Sequence, residues 1–302
     1  MKAVETAILS YEEKNSLVPK RMHIDHGADT LLCMPSFSTD FFGVKLVSVV
    51  PGNATKKLPV TNGVMLLHDK HTGLPLALLN ASALTALRTG AVGATGLKYM
   101  TPEHTSSIGL IGSGVQGMYQ ALFACSVRPI TTIYCLQRGV EAFNRLQQFI
   151  AAHHPNVNVI ARSSAEELLF KTNTIIAATT SSTPVLPDNA TLLKGKHFIS
   201  VGSYKPHMQE LPDAVYQLAG ELVLDSEFGR QETGDSIHCI EKGFIQPENV
   251  FTIGKLITGE KKINTSSTTV YKTSGMALFD LFVAQYMYYI ALQKKAGTSI
   301  HI

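Results

Sequence analysis

Arg88 is the only formal charge between Lys70 and Lys98, set in the run NASALTALRTGAVGATG from Asn80 to Gly96. Burying an unpaired guanidinium in such apolar surroundings is costly, so an anion must accompany it. Two anions qualify. One is the carboxylate of a bound ligand, which the planar fork meets in bidentate fashion and for which the small neighbouring residues leave room. The other is an internal acid such as Asp280. Lys45, in FFGVKLVSVV, is a second cation inside an apolar run. Strand alternation puts it opposite Val44 and Leu46, on the side expected to carry Phe42, and therefore in a cleft rather than in solvent.

A different chemistry is written in SSIGLIGSGVQGMYQALFACS, an apolar strand, a glycine turn and a helix. Gly112, Gly114 and Gly117 have the G-x-G-x-x-G spacing. The first glycine permits a tight turn, the second lets a pyrophosphate approach the backbone, and the following helix N-terminus supplies N–H groups. At the end of the next strand, where an acid would hold the ribose 2′-hydroxyl of NAD, the residues are Gln137 and Arg138. A carboxylate repels a 2′-phosphate and an arginine binds one, so NADP(H) is preferred and NAD(H) remains possible. The expected cofactor contacts are Gly112, Ser113, Gly114, Val115, Gln116, Gln137, Arg138, Thr179, Thr180 and Ser274. Ser274-Gly275 reads equally well as a helix start. Cys33, Cys125, Cys135 and Cys239 share no metal-type spacing, and adjacent His153 and His154 cannot point the same way, so no metal site is expected.

The elements that must position these residues change character along the chain. From Met22 to Leu79 short apolar strands such as TLLCMPSF, FFGVKLVSVV and GVMLLHDKHTGLPLALLN indicate an antiparallel meander, with a turn at His71-Thr72-Gly73. Asn80 or Ser82 can cap a helix that runs through Arg88 to about Tyr99. From Ser106 strands alternate with helical patterns, the signature of an α/β doubly wound parallel sheet. The amphipathic SGMALFDLFVAQYMYYIALQKK then returns to the first half. Residues 1–101 plus 276–302 are expected to form a discontinuous mixed α+β domain, with a dinucleotide-binding domain, 102–275, inserted in it.

The 302 residues carry 45% hydrophobic and 16% charged side chains and a formal charge of only +3, without basic clusters, which argues against a nucleic-acid partner. With no apolar run long enough to span a bilayer and no leader-like start, a cytoplasmic protein without a membrane partner is expected.

Taken together, HIDHGADTLLCMPSF, GVKLVSVVPGN, TGLPLALLNASALTALRTGA, IGLIGSGVQG and SVGSYKPHMQELPDA resemble the ornithine cyclodeaminase/mu-crystallin family, in the family's order, from about Arg21 to Gln285. The resemblance implies a Rossmann-type cofactor domain and a homodimer whose first domain supplies dimerisation and the substrate site, with the nicotinamide facing it across a cleft. It further implies that Arg21, Lys45 and Arg88 surround a substrate carboxylate. Members that expel ammonia carry an aspartate in the loop after the strand matched by HFISVGS; here Tyr204 takes that position. Gln209-Glu210-Leu211 keeps the family's glutamate, while Asn80 stands where an acid is common. The activity implied is NAD(P)H-dependent reduction of a small cyclic imino acid, Δ1-pyrroline-2-carboxylate to L-proline, with Δ1-piperideine-2-carboxylate as a side substrate and Lys45 as proton donor. The alternatives are an amino-acid or opine-type dehydrogenase, an ornithine cyclodeaminase, and an NADPH-binding protein of the mu-crystallin kind.

Overall fold

The computed structural model describes residues 1–300. In chain order the main elements are α1 (Lys2–Glu12), β1 (Met22–His26), β2 (Asp29–Phe37), β3 (Phe41–Val49), β4 (Thr61–Asp69), β5 (Pro75–Asn80) and α2 (Ala81–Met100). They continue with β6 (Ser107–Ile111), α3 (Val115–Val127), β7 (Thr132–Leu136), α4 (Val140–His153), β8 (Asn158–Arg162), α5 (Ala165–Lys171) and β9 (Thr174–Ala177). Next come α6 (Ala190–Leu193), β10 (His197–Ser200), α7 (Asp213–Ala219), β11 (Leu222–Leu224), α8 (Gly229–Glu232) and α9 (Gly234–Glu241). The last are β12 (Val250–Thr252), α10 (Ile253–Ile257), β13 (Thr269–Lys272) and α11 (Ala277–Lys294). Contacts divide the chain into two compact units, one of Lys2–Arg88 with the chain from Met276, the other of Thr89–Gly275. Among the described residues, no helix is long and apolar enough to cross a membrane.

The first unit is built on an antiparallel sheet in the order β1-β2-β3-β4-β5. Side chains alternate between faces, and the register sets Met34, Lys45 and Met65 side by side on the inner one. This face also carries the buried Ser36, Phe41, Gly43 and Leu67, and it packs on α11. Ser36 Oγ donates to Ala277 O at 3.1 Å, and a Cβ at Gly43 would meet Leu66 O at 2.5 Å and Leu281 Cδ1 at 3.3 Å. Lys45 therefore lies with Phe41 and Gly43. The expected grouping with Phe42 is corrected by the strand period of two, which sends Phe42 outward to stack between Phe37 and His68. The turn between β4 and β5 is tied by Asp69, whose Oδ1 accepts from His71 N, Thr72 N and Thr72 Oγ1.

Sequence alone suggests no element before Met22, yet α1 forms there and buries Val4, Ala7 and Ile8, an i, i+3, i+4 stripe. Asn80 rather than Ser82 caps α2, its Oδ1 accepting from Ala83 N at 3.0 Å.

The second unit holds a parallel sheet in the order β12-β11-β13-β10-β9-β6-β7-β8. From β6 the chain first winds outward through β7 and β8, then returns to lay β9 and β10 on the other side. The order thus reverses between β6 and β9, the topological switch point at which open α/β sheets bind ligands. Gly96 of α2 is required by a close approach: a Cβ there would lie 2.1 Å from Tyr271 Cδ1 on β13.

Candidate active site

Asp280, on the first turn of α11, is the anion beside Arg88. Its Oδ1 lies 3.2 Å from Arg88 Nε, and its Oδ2 accepts a 2.7 Å hydrogen bond from Lys45 Nζ. The Arg88 contact is an ion pair without a hydrogen bond, since neither Nε nor Oδ1 has a hydrogen-bond partner. Lys45 Nζ also reaches Thr85 Oγ1 at 3.5 Å, one turn before Arg88 on α2. All three charged residues are buried, Lys45 at 2%, Arg88 at 7% and Asp280 at 0% exposure. Among the described residues, Asp280 is the only carboxylate in an ion pair with either cation.

This sharing has a protonic consequence. Burial pushes the Lys45 ammonium down to about 8; Asp280 works against that fall, and the Arg88 and Arg21 charges reinforce it. Arg21, half-buried just before β1, is thus close enough to be felt at Lys45. The unit holds two buried cations on a single carboxylate, with a third cation nearby. Counted without Arg21, the two buried cations and their one carboxylate leave a charge of +1 that one more anion would neutralise, and the lysine gives up its proton near pH 8.

The glycine turn lies in the second unit, at the carboxyl end of β6. Gly112 has φ +103°, and a Cβ on it would stand 2.3 Å from Ala178 O in the loop after β9. A Cβ on Gly117 would stand 1.8 Å from Gly112 O, whereas Gly114, at the N-cap of α3, has open space around it. Tight turn, helix packing and an open backbone approach are thus divided among the three glycines as a dinucleotide pyrophosphate needs. When bound, a nicotinamide dinucleotide supplies a hydride, and the residues present fit one.

The other expected cofactor contacts fall into different settings. Ser113 and Gln116 are half-buried in the turn, with Gln116 Oε1 buried and without a hydrogen bond, while Val115 is exposed. Gln137 and Arg138 follow β7, half-buried and exposed, with Gln137 N donating to Arg162 O. Thr179 and Thr180 follow β9; Thr179 donates through N and Oγ1 to Glu210 Oε1, and Thr180 is exposed. Ser274 Oγ donates to Glu232 Oε2 at 3.0 Å, and the helix beyond it begins at Ala277.

Sequence reasoning named Asp280 only as one possible anion for Arg88 and did not find Thr85. The spacing Thr85-x-x-Arg88 on a helix was an available signal, since residues three apart share a face. Nothing local marks Asp280 as a partner of Lys45, which is 235 residues away.

The family model described as "Ornithine cyclodeaminase/mu-crystallin family" matches residues 1–295. A Δ1-pyrroline-2-carboxylate reductase of Bacillus thuringiensis subsp. konkukian is 33% identical over 304 residues, covering 97% of this chain and 92% of the relative. Among solved structures, Thermococcus litoralis Δ1-pyrroline-2-carboxylate reductase in complex with NADH and L-proline superposes with a TM-score of 0.90 at 30% identity, covering 99% of this chain and 94% of that one. An archaeal alanine dehydrogenase dimer with bound NAD also gives a TM-score of 0.90, at 28% identity, covering 100% of this chain and 93% of that one.

Proposed function

The chain belongs to the ornithine cyclodeaminase/mu-crystallin family, and from that premise we propose that it is an NAD(P)H-dependent reductase of a small cyclic imino acid, taking Δ1-pyrroline-2-carboxylate to L-proline, with Δ1-piperideine-2-carboxylate as a side substrate. The observation that carries this reading is the pair of buried cations, Lys45 and Arg88, sharing the single carboxylate of Asp280. A substrate carboxylate supplies the missing anion. Arg88 offers it the Nη1/Nη2 edge, because the Nε edge already faces Asp280. Arg21 adds a second cation from the approach to β1.

The reaction adds a hydride to C2, the imine carbon bearing the carboxylate, and a proton to the ring nitrogen; imine, NAD(P)H and H+ become amine and NAD(P)+. Holding the carboxylate fixes C2, which is the positioning that such a transfer requires. Lys45, with its ammonium depressed to about 8, delivers the proton to the nitrogen adjoining C2 and is held for that task by Asp280. Tyr204, where the resemblance places an ammonia-handling aspartate in cyclodeaminases, offers no carboxylate, which favours a substrate that arrives already as an imine.

NADPH is the preferred cofactor on this reading, because the exposed Arg138 at the end of β7 stands where a 2′-phosphate is met. The chain acts as a homodimer through the outer face of its five-stranded sheet. Met22, Ile24, Leu31, Val64 and Leu78 lie there, 39% to 57% exposed, and apolar patches of this kind mark interfaces. A cytoplasmic setting completes the proposal.

An open-chain imine formed from a keto acid and ammonia fits the same clamp, and the likeness to an alanine dehydrogenase favours testing it. The purified protein should oxidise NADPH with Δ1-pyrroline-2-carboxylate, more slowly with the piperideine homologue, and poorly with pyruvate plus ammonia. Turnover confined to pyruvate plus ammonia would replace this reading with an amino-acid dehydrogenase.

A further inference from the structure

Glu210 is fully buried, and its carboxylate joins two loops that leave neighbouring strands of the parallel sheet. Its Oε1 accepts from Thr179 N and Thr179 Oγ1, each at 2.7 Å, in the loop after β9. Its Oε2 accepts from Gly202 N at 2.6 Å and Ser203 N at 3.1 Å in the loop after β10, and from Ser200 Oγ at 3.3 Å. The contact is close-packed as well as hydrogen-bonded: a Cβ on Gly202 would stand 1.8 Å from Thr179 O and 2.6 Å from Glu210 Oε1. Glu210 is itself fixed. Buried Asp235 on α9 accepts from Glu210 N and Leu211 N, each at 3.1 Å, and from Tyr216 OH at 2.7 Å, while Lys272 Nζ donates to Ser200 Oγ at 3.2 Å.

The place of these loops gives the network a role. A dinucleotide at the switch point puts its pyrophosphate against the Gly112 turn and its adenosine toward β7, where Gln137 and Arg138 lie. Its other half must then run the opposite way, over the carboxyl ends of β9 and β10. Those are the loops that Glu210 joins. We propose that Glu210 is a positioning residue that sets the spacing of the loops after β9 and β10, and that this spacing forms the seat of the nicotinamide half of the cofactor while leaving the adenosine half unaffected. The inference rests on the reading above only in taking a nicotinamide dinucleotide as the ligand.

The test compares NADH, titrated by its fluorescence, with ADP, titrated by calorimetry, on the wild type and on Glu210→Gln. The amide turns an N–H toward donors on one of the two loops, so the loops lose their common acceptor. The NADH dissociation constant should rise by about tenfold, the scale of one charged hydrogen bond, while that for ADP stays within about twofold. Gly202→Ala keeps the Glu210 charge but sets a Cβ against both Thr179 O and Glu210 Oε1, which forces the same loops apart and should give the same split; it stands as the test if Glu210→Gln does not fold. Equal weakening of both ligands, or unchanged NADH binding in a folded variant, overturns the proposal. No imino acid enters either titration, so this result is independent of which imine the enzyme reduces.

Discussion

Lys45 and Asp280 meet at 2.7 Å with both side chains sealed from solvent, one from the middle of β3 and the other from the first turn of α11. A buried lysine held by a carboxylate and opposed by an arginine is poised to exchange a proton.

The Lys45 ammonium, at about 8 instead of 10.5, should give kcat/KM for the imino acid a limb that falls as pH rises through about 8. Lys45→Arg, whose guanidinium does not titrate there, should lose this limb, while Lys45→Met should lower kcat by about 10²-fold or more. A limb that persists in Lys45→Arg would assign the titration to the substrate. For stability the sign is opposite. The folded state sheds the proton earlier than the unfolded chain, so the cost of burying the ammonium is fully present below about 8 and stability rises from there toward 10.5.

Replacing Asp280 by Asn leaves two buried cations without their common anion. Urea unfolding should show a loss of about 3–5 kcal/mol, the scale for breaking a buried pair. Added L-proline should recover part of the loss by restoring a carboxylate. No proline effect on the variant's midpoint would argue against a carboxylate site beside these cations.

Arg88→Lys keeps the charge and loses the planar fork. Both kcat and kcat/KM for Δ1-pyrroline-2-carboxylate should fall, with NADPH affinity unchanged. The decarboxylated 1-pyrroline should be a poor substrate of the wild type and nearly indifferent to the change. Equal effects on both imines, together with a lowered Tm, would make Arg88 a purely structural partner of Asp280.

Arg138→Ala should weaken NADPH binding by about 1–3 kcal/mol and leave NADH almost untouched, because a charged hydrogen bond to the 2′-phosphate is the only interaction removed. Fluorescence titration of both cofactors measures this, and equal losses for the two would remove Arg138 from the 2′-phosphate site.

Whatever depends on neighbours along the chain is legible in the amino-acid sequence. Alternation in β2 to β5, the turn at His71-Thr72-Gly73 and a cap at Asn80 or Ser82 ahead of α2 are local features; the fold then added Asp69 as the tie of the turn and chose Asn80 as the cap. The glycine spacing at 112, 114 and 117 between an apolar strand and a helix was legible for the same reason: its geometry spans six residues. The isolated charge of Arg88 announced that an anion must exist, because desolvation is a property of the residue and its immediate surroundings.

Which anion it is depends on long-range packing. Asp280 comes from the far end of the chain and meets Lys45 because α11 packs on the inner face of the meander. The slot of β13 between β10 and β11, and the joining of two loops by Glu210, are likewise long-range, set by strand order and packing. Period and capping act over one or two turns, whereas a buried charge is compensated by whatever the fold brings within a few ångströms, and no local pattern carries that distance.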